Sequence, residues 1–465
     1  MSRTRIIATV GPSCDTKEKL SALVKAGVDL FRLNMSHEDH SGASKVISQI
    51  RKNDPQTGIL MDLQGPRIRT GRLKEKCVAL KKGAEFVITS KQIEGNDSMV
   101  SVDFKGLPQE VKAGQQILID NGLIELKVVK VEGSDIHCKV SSGGSLGEHK
   151  GVNVPGTSIF KKSLTEKDLS DMSLAVKEKV DYIALSFVKT SDDILEAKKL
   201  IEGLGASIPV IAKIENAEAV SRIDSIINVA DAVMVARGDL GVELAPEEVP
   251  MIQKAIITKC ARAGRPVIVA SQMLESMVEN TRPTRAETTD VANAIIDGAD
   301  ALMLSEETAS GLHPSEAVKM MARLIDKVEG ECVIQRHIKK EDIKKNIAFA
   351  VSHSAYHVCE DLDARAIITF TSSGSTALMA SKWRPNAPIF APVTSLEAAR
   401  RTSLYWGVLP ILTEVFKSTD EMVSNIEKAV LEKKLLKKGD VVIITAGVPI
   451  GVKGTTNLIK VHTIG

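Results

Sequence analysis

Apolar residues along this chain come in short β-branched runs separated by stretches with helical spacing. Arg5–Val10, Val28–Leu33 and Gly58–Leu63 are runs of the first kind. Between them, 16–26 (apolar at Leu20, Leu23 and Val24) and 39–53 carry the period of amphipathic helices. From about Gly71 to Pro155 the helical spacing disappears. Strand-like runs alone remain there (Glu85–Thr89, Gln116–Ile119, Leu123–Val131, Asp135–Val140), and Asn121-Gly122 predicts a hairpin between two of them. Alternation then resumes, with strands predicted at Val180–Leu185, Pro209–Ile214, Ala232–Ala236, Pro266–Ala270 and Ala299–Leu304 and a last helix over 314–328. Three strands before the interruption and five after it make eight, the count of a (β/α)8 barrel with a small β domain inserted after its third strand. Beyond a polar link near 330–344, Ala366–Phe370, Pro388–Val393, Val408–Leu412, Val441–Thr445 and Leu458–Ile464 predict a separate α/β unit. The expected division is 1–70 with 155–330 for the barrel, 71–154 for the insert and 345–465 for the last domain.

Composition narrows the function without naming it. A length of 465 residues fits about three domains. A net charge of +2, with no dense Lys/Arg stripe, argues against a nucleic-acid surface. The run Lys433–Lys438 reads as a helix end, where cations complement the dipole. The six cysteines are scattered without zinc spacing, which fits a reduced, cytoplasmic chain. No apolar leader pattern precedes Arg3-Thr4-Arg5, and no run approaches the roughly 20 residues of a membrane span.

Charge gathers where the predicted strands end. Lys213 and Glu215 close the fifth strand two residues apart, so they project from one face. Arg237-Gly238-Asp239 closes the sixth. Taken alone, Lys213 and Glu215 also read as a solvated ion pair on a loop. Two carboxylates from neighbouring strands, however, are what Mg²⁺ accepts while keeping positions for water and phosphate. A lysine beside them suits phosphoryl transfer, where positioning and charge neutralisation carry catalysis. The other strand ends bring Arg32, Asn34 and Ser36, then Asp62, Arg67 and Arg69, then Ser271 and Gln272, and Ser305 with Glu307. Gln272, Arg237 and Glu307, each by itself, read as structural. Thr284 and Glu287 form a capping box, and Gly143, Gly144 and Gly147 read either as a phosphate cradle or as a hinge.

Together these stretches resemble the pyruvate kinase family over essentially the whole chain. The matching motifs are ATVGPS, FRLNMSH, DLQGPRIRTG, GVNVPG, AKIEN, VARGDLGVE, ASQMLESM, NTRPTRAETTDVANA and ADALMLSEETA. The resemblance implies a TIM barrel, an inserted β-barrel lid and a C-terminal α/β regulatory domain. It implies transfer of phosphoryl from phosphoenolpyruvate to ADP, giving pyruvate and ATP as the final step of glycolysis, in a homotetramer. It makes Glu215 and Asp239 ligands of Mg²⁺ or Mn²⁺, Lys213 the group that stabilises the phosphoryl in flight, and Arg32 a phosphate clamp. Gly238 and Asp239 would offer backbone N–H groups to the substrate carboxylate. Asn34, His37 and Arg69 would touch the nucleotide, and Asp120 on the lid hairpin would reach the barrel mouth on closure.

Three departures from the family pattern matter. Ser271 stands where threonine is usual, placed to relay a proton to the enolate, and keeps the hydroxyl with a freer rotamer. Glu306 replaces the glycine before Glu307. Arg67 stands where potassium-requiring members carry glutamate, although Asn34, Ser36, Asp62 and the carbonyl of Leu63 match the K⁺ ligands. Its fixed charge is expected to make K⁺ dispensable; the alternative is that the guanidinium turns outward to Asp62 or solvent. In the last domain Thr371, Ser372, Ser373, Gly374, Ser375 and Thr376 read as a Ser-rich N-cap or, by resemblance, as the loop for a phosphorylated effector, with Lys382 and Arg384 as further contacts. A metal-dependent lyase on the same barrel, or a non-enzymatic metabolite sensor, are the competing functions. The first would need no lid over a nucleotide, and the second would not need Lys213, Glu215 and Asp239 intact.

Overall fold

A computed structural model describes residues 2–157, 163–332, 334–335, 337–338, 342, 346–416, 418–448 and 456–465. The expected division at 345 and part of the link at 330–344 lie outside them. Eight parallel strands close a barrel: Arg5–Thr9, Leu30–Asn34, Gly58–Asp62, Tyr182–Leu185, Val210–Ile214, Ala232–Ala236, Val267–Ala270 and Ala301–Leu304. Side-chain alternation sorts each strand. Ile6, Ala8, Phe31, Leu33, Ile59 and Met61 face outward into the core shared with the helices. Ile7, Leu30, Leu60, Ala184, Ile211 and Met234 pack together inside the barrel. The inward positions one step further along the second, third and fifth strands are therefore Arg32, Asp62 and Lys213, at the carboxyl mouth.

The insert is a seven-stranded, mostly antiparallel sheet with a two-stranded ribbon around its own core of Phe86, Ile88, Ile117, Leu126, Ile136 and Leu146. Gln116–Ile119 and Ile124–Glu132 form the expected hairpin, with Asp120, Asn121 and Gly122 all left-handed at its tip. The glycine cluster is neither cradle nor hinge. Gly144–Gly147 is a strand paired with Cys77–Leu80, and a Cβ on Gly143 would lie 2.2 Å from the Leu80 carbonyl oxygen. Glycine is there because two backbones approach closely.

The last domain is a five-stranded sheet in the order Val408–Leu412, Ile389–Val393, Ala366–Thr369, Val441–Gly447, Thr456–Thr463, the final strand antiparallel. Its strand order reverses between Ala366–Thr369 and Val441–Gly447, and the loop Thr371–Thr376 leaves the sheet beside that point. The domain docks on the amino-end face of the barrel, opposite the mouth. Lys382 and Arg384 were expected as effector contacts; the structure buries both in this junction instead. Lys382 Nζ lies 2.7 Å from one oxygen of Asp300 and Arg384 lies 3.0 Å from the other. Asp300 precedes the eighth barrel strand and also accepts from the Val267 N–H. Cations this deeply buried are bound by a carboxylate within reach rather than presented to solvent.

Candidate active site

The centre of the barrel mouth is a buried charge cluster. Lys213 Nζ donates to Ser186 Oγ at 2.7 Å and lies 3.1 Å from Asp62 and 2.9 Å from Glu215. Asp62 is held on its other oxygen by Arg32 Nε at 2.7 Å, and Arg32 also donates to Thr9 Oγ1. Burial by itself would push the Lys213 ammonium down, but Asp62 and Glu215 outweigh it and hold its pKa above the ordinary value. Burial would likewise raise Asp62, yet Lys213 and Arg32 keep its carboxyl below the usual range. Glu215 is different: burial dominates and pushes its carboxyl up, against Lys213.

Glu215 Oε2 accepts from the Phe187 N–H at 2.6 Å, whereas its buried Oε1 meets only the Lys213 ammonium, at 2.9 Å. That oxygen and the carboxylate of Asp239 form a hard-oxygen pair on neighbouring strand ends. Among the described residues no three His, Cys, Asp or Glu side chains gather as a metal cluster. A two-carboxylate site fits an ion that completes its shell with water and substrate oxygens, as Mg²⁺ or Mn²⁺ does.

The remaining candidates fall around this cluster. Gly238 lies in the first turn of the short helix Arg237–Glu243 and faces Ser271, whose Oγ would lie 3.6 Å from a Cβ added to the glycine. Both line a cleft of about 1100 Å³, with Asp239, Arg67, Gln272 and Glu306. Glu306 is exposed into that cleft, while Glu307 is buried and accepts from the Leu274 and Ser305 N–H groups. The capping box holds as read: Thr284 and Glu287 bond reciprocally, and Glu287 also takes the Ser276 N–H.

Asn34, His37 and Arg69 also lie near the mouth. Burial, then Arg69, Arg32 and Arg67, pushes the His37 imidazole down and favours its neutral form. Asp120 does not join them; its carboxylate is held 3.0 Å from Lys150 within the lid, and it is Asn121 that lines the cleft. Arg67 turns neither to Asp62 nor to open solvent: its guanidinium lies 3.0 Å from Asp239. Among the residues matched to K⁺, Asn34 Oδ1 accepts from the Ser36 N–H and the Leu63 carbonyl accepts from Ser186 Oγ. Both Asp62 oxygens already face cations.

Two residues were missed by the sequence reading. Ser186 continues the inward alternation Tyr182, Ala184, Ser186, so the period-two rule applied one step past the fourth strand would have found it. Phe187, left-handed at φ 54°, aims its N–H at Glu215, and nothing in the pattern announces it.

The family model described as the pyruvate kinase barrel domain matches residues 1–318, and that of the pyruvate kinase alpha/beta domain matches 349–462. The chain belongs to the pyruvate kinase family. A pyruvate kinase of Clostridium acetobutylicum is 44% identical, with all of both chains covered. One of Staphylococcus aureus is 42% identical over the whole of this chain and 81% of its own. The crystal structure of a pyruvate kinase from Cryptosporidium parvum superposes with a TM-score of 0.92 at 37% identity, covering 100% of this chain and 96% of that one. Membership accounts for the barrel with its separate mixed sheet.

Proposed function

We propose that this chain transfers the phosphoryl group of phosphoenolpyruvate to ADP and protonates the enolate left behind. The observation that carries the reading is Lys213: a buried ammonium at the barrel mouth, flanked by Asp62, Glu215 and Ser186. Such a group is preorganised, so it stabilises charge developing on the phosphoryl without reorganising during the step. Arg32, fixed by Asp62 and Thr9, clamps the phosphate. The N–H groups of Gly238 and Asp239 meet the substrate carboxylate, glycine allowing close approach. Asn34, His37 and Arg69 hold the nucleotide, and Asp120 reaches toward it when the lid closes and excludes water. Ser271 relays a proton to the enolate carbon. Glu215 and Asp239 would hold Mg²⁺ or Mn²⁺, which supplies charge neutralisation for the substrate oxygens when bound there.

The finer assignments rest on the same footing. Residues 1–70 with 155–330 form the catalytic domain, 71–154 the lid and 345–465 the regulatory domain. Arg67 provides a permanent cation at the mouth, and K⁺ at the Asn34, Ser36, Asp62 and Leu63 site is dispensable. A second cation ~5 Å away would meet ~3 kcal/mol of repulsion at an effective dielectric of ~20. The loop Thr371–Thr376 (Thr371, Ser372, Ser373, Gly374, Ser375, Thr376) binds a phosphorylated activator. Its place beside the reversal of strand order supports this, since ligands of open α/β sheets bind there. The enzyme works as a cytoplasmic homotetramer. No helix among the described residues is long and apolar enough to cross a membrane.

The test is a lactate-dehydrogenase-coupled assay with phosphoenolpyruvate, ADP and Mg²⁺, run on wild type and Lys213→Met. The variant should lose about 10²–10³ in kcat, the scale for removing one preorganised transition-state donor, with much less change in substrate binding. Wild-type activity in Lys213→Met, or pyruvate release without ADP, would overturn the reading.

A further inference from the structure

We infer that Arg237 is a positioning residue for the proton step, holding the Ser271 hydroxyl over the substrate by gripping the backbone beneath it. Ser271 and Gln272 leave the seventh barrel strand in the left-handed region, at φ 73° and 55°. Residues with a Cβ occupy that region sparsely, and two in succession persist only where the surroundings over-determine them. The constraint is visible. Arg237 donates from Nε and from one terminal nitrogen to the Ser271 carbonyl, at 3.2 and 2.7 Å. The same terminal nitrogen reaches the Gln272 carbonyl at 3.3 Å and Met273 Sδ at 2.9 Å. Its other terminal nitrogen is anchored on Asp290 at 2.6 Å.

These contacts tie the ends of the sixth and seventh strands together, and Ser271 is left facing Gly238, the first turn of the helix that Arg237 opens. A planar guanidinium holds several carbonyls in a fixed fork, which an ammonium cannot do. The grip has added weight in this chain because serine, unlike the threonine expected there, lacks the branch that stiffens its own rotamer. Backbone restraint therefore decides where the hydroxyl sits. Without it the two left-handed residues relax and carry Oγ away from the enolate.

The inference rests on Ser271 as the proton relay. In that step a proton passes from Ser271 Oγ to C3 of the enolate as a solvent proton replaces it on Oγ. One proton is taken from water, a C–H bond forms, and the serine ends unchanged. The step is isolated by following exchange of pyruvate methyl protons for deuterium by NMR, with Mg²⁺ and ATP present. Phosphoryl transfer is followed separately by rapid quench in a single turnover.

Arg237→Lys keeps the charge and removes the fork. It should slow exchange at least tenfold while phosphoryl transfer and the KM for phosphoenolpyruvate stay within twofold. Ser271→Ala should slow exchange as well, and the double variant no further. Equal slowing of both partial reactions by Arg237→Lys, or losses that multiply in the double variant, would show Arg237 acting through something other than Ser271 and would overturn the inference. Exchange at the wild-type rate in Ser271→Ala would overturn the relay reading beneath it. Should Arg237→Lys fail to fold, Asp290→Asn loosens the anchor alone. Reduced exchange with intact phosphoryl transfer supports the grip, and two unchanged rates refute it.

Discussion

The buried junction between barrel and last domain makes a contrast that stability measurements can read. Asp300 faces two cations, so the cluster carries one positive charge in excess, and all three side chains are essentially removed from solvent. Asp300→Asn leaves Lys382 and Arg384 buried without a counter-charge, a change that costs about 3–5 kcal/mol. Lys382→Met keeps the length of the side chain and leaves a balanced Asp300–Arg384 pair. It gives up the contact with Asp300 and the hydrogen bond to the Arg265 carbonyl, losses largely offset by removing a desolvated charge, so the net cost should be about 1 kcal/mol. The two substitutions should therefore differ severalfold in effect. Lys382 adds a pH signature. Burial, outweighing Asp300, pushes its ammonium down from 10.5 to about 8. The folded pKa is depressed, so the unfolded chain binds more protons between these values. Stability of wild type relative to Lys382→Met should be flat below about pH 8 and rise by up to about 3 kcal/mol as pH climbs from 8 toward 10.5. Both tryptophans of the chain, Trp383 and Trp406, lie in this domain, with the Arg384 guanidinium 4.7 Å over the Trp406 ring. Urea unfolding followed by tryptophan fluorescence thus reports on the junction directly. Equal midpoints for the two variants, or a Lys382→Met difference that does not change between pH 7 and 10, would refute the reasoning.

Replacing K⁺ by an inert organic cation at matched ionic strength should leave the wild type active and make Arg67→Glu dependent on K⁺; a wild type that stops without K⁺ removes the proposed role of Arg67. A panel of sugar phosphates and nucleotides should contain an activator whose effect is lost in Thr371→Ala or Ser372→Ala, and unchanged kinetics across the panel would count against the loop as an effector site. Glu215→Gln should weaken Mn²⁺ binding, measured by paramagnetic resonance of the free ion, because it takes one of two carboxylates from the proposed metal site.

Much of this protein was legible in one dimension. Alternating strand and helical periods located all eight barrel strands to within about two residues, as well as the insert and the five-stranded last domain. Side-chain alternation put Lys213 and Glu215 on one face, and a (β/α)8 barrel turns such positions inward at its carboxyl mouth. Both are properties of chain geometry over a few residues, so they survive without knowledge of neighbours. The partners of long charged side chains are another matter. Arg67 lies against Asp239, 172 residues away in sequence, and Lys382 against Asp300, 82 away. Such choices depend on which carboxylate the fold brings within reach and on how much water it removes. Gly143 makes the same point, since only the pairing of Gly144–Gly147 with Cys77–Leu80 brings the backbone that excludes a side chain there. The strained Ser271–Gln272 turn and the arginine that grips it likewise belong to the tertiary structure: local sequence fixes period and face, whereas long-range packing sets which groups meet and at what electrostatic cost.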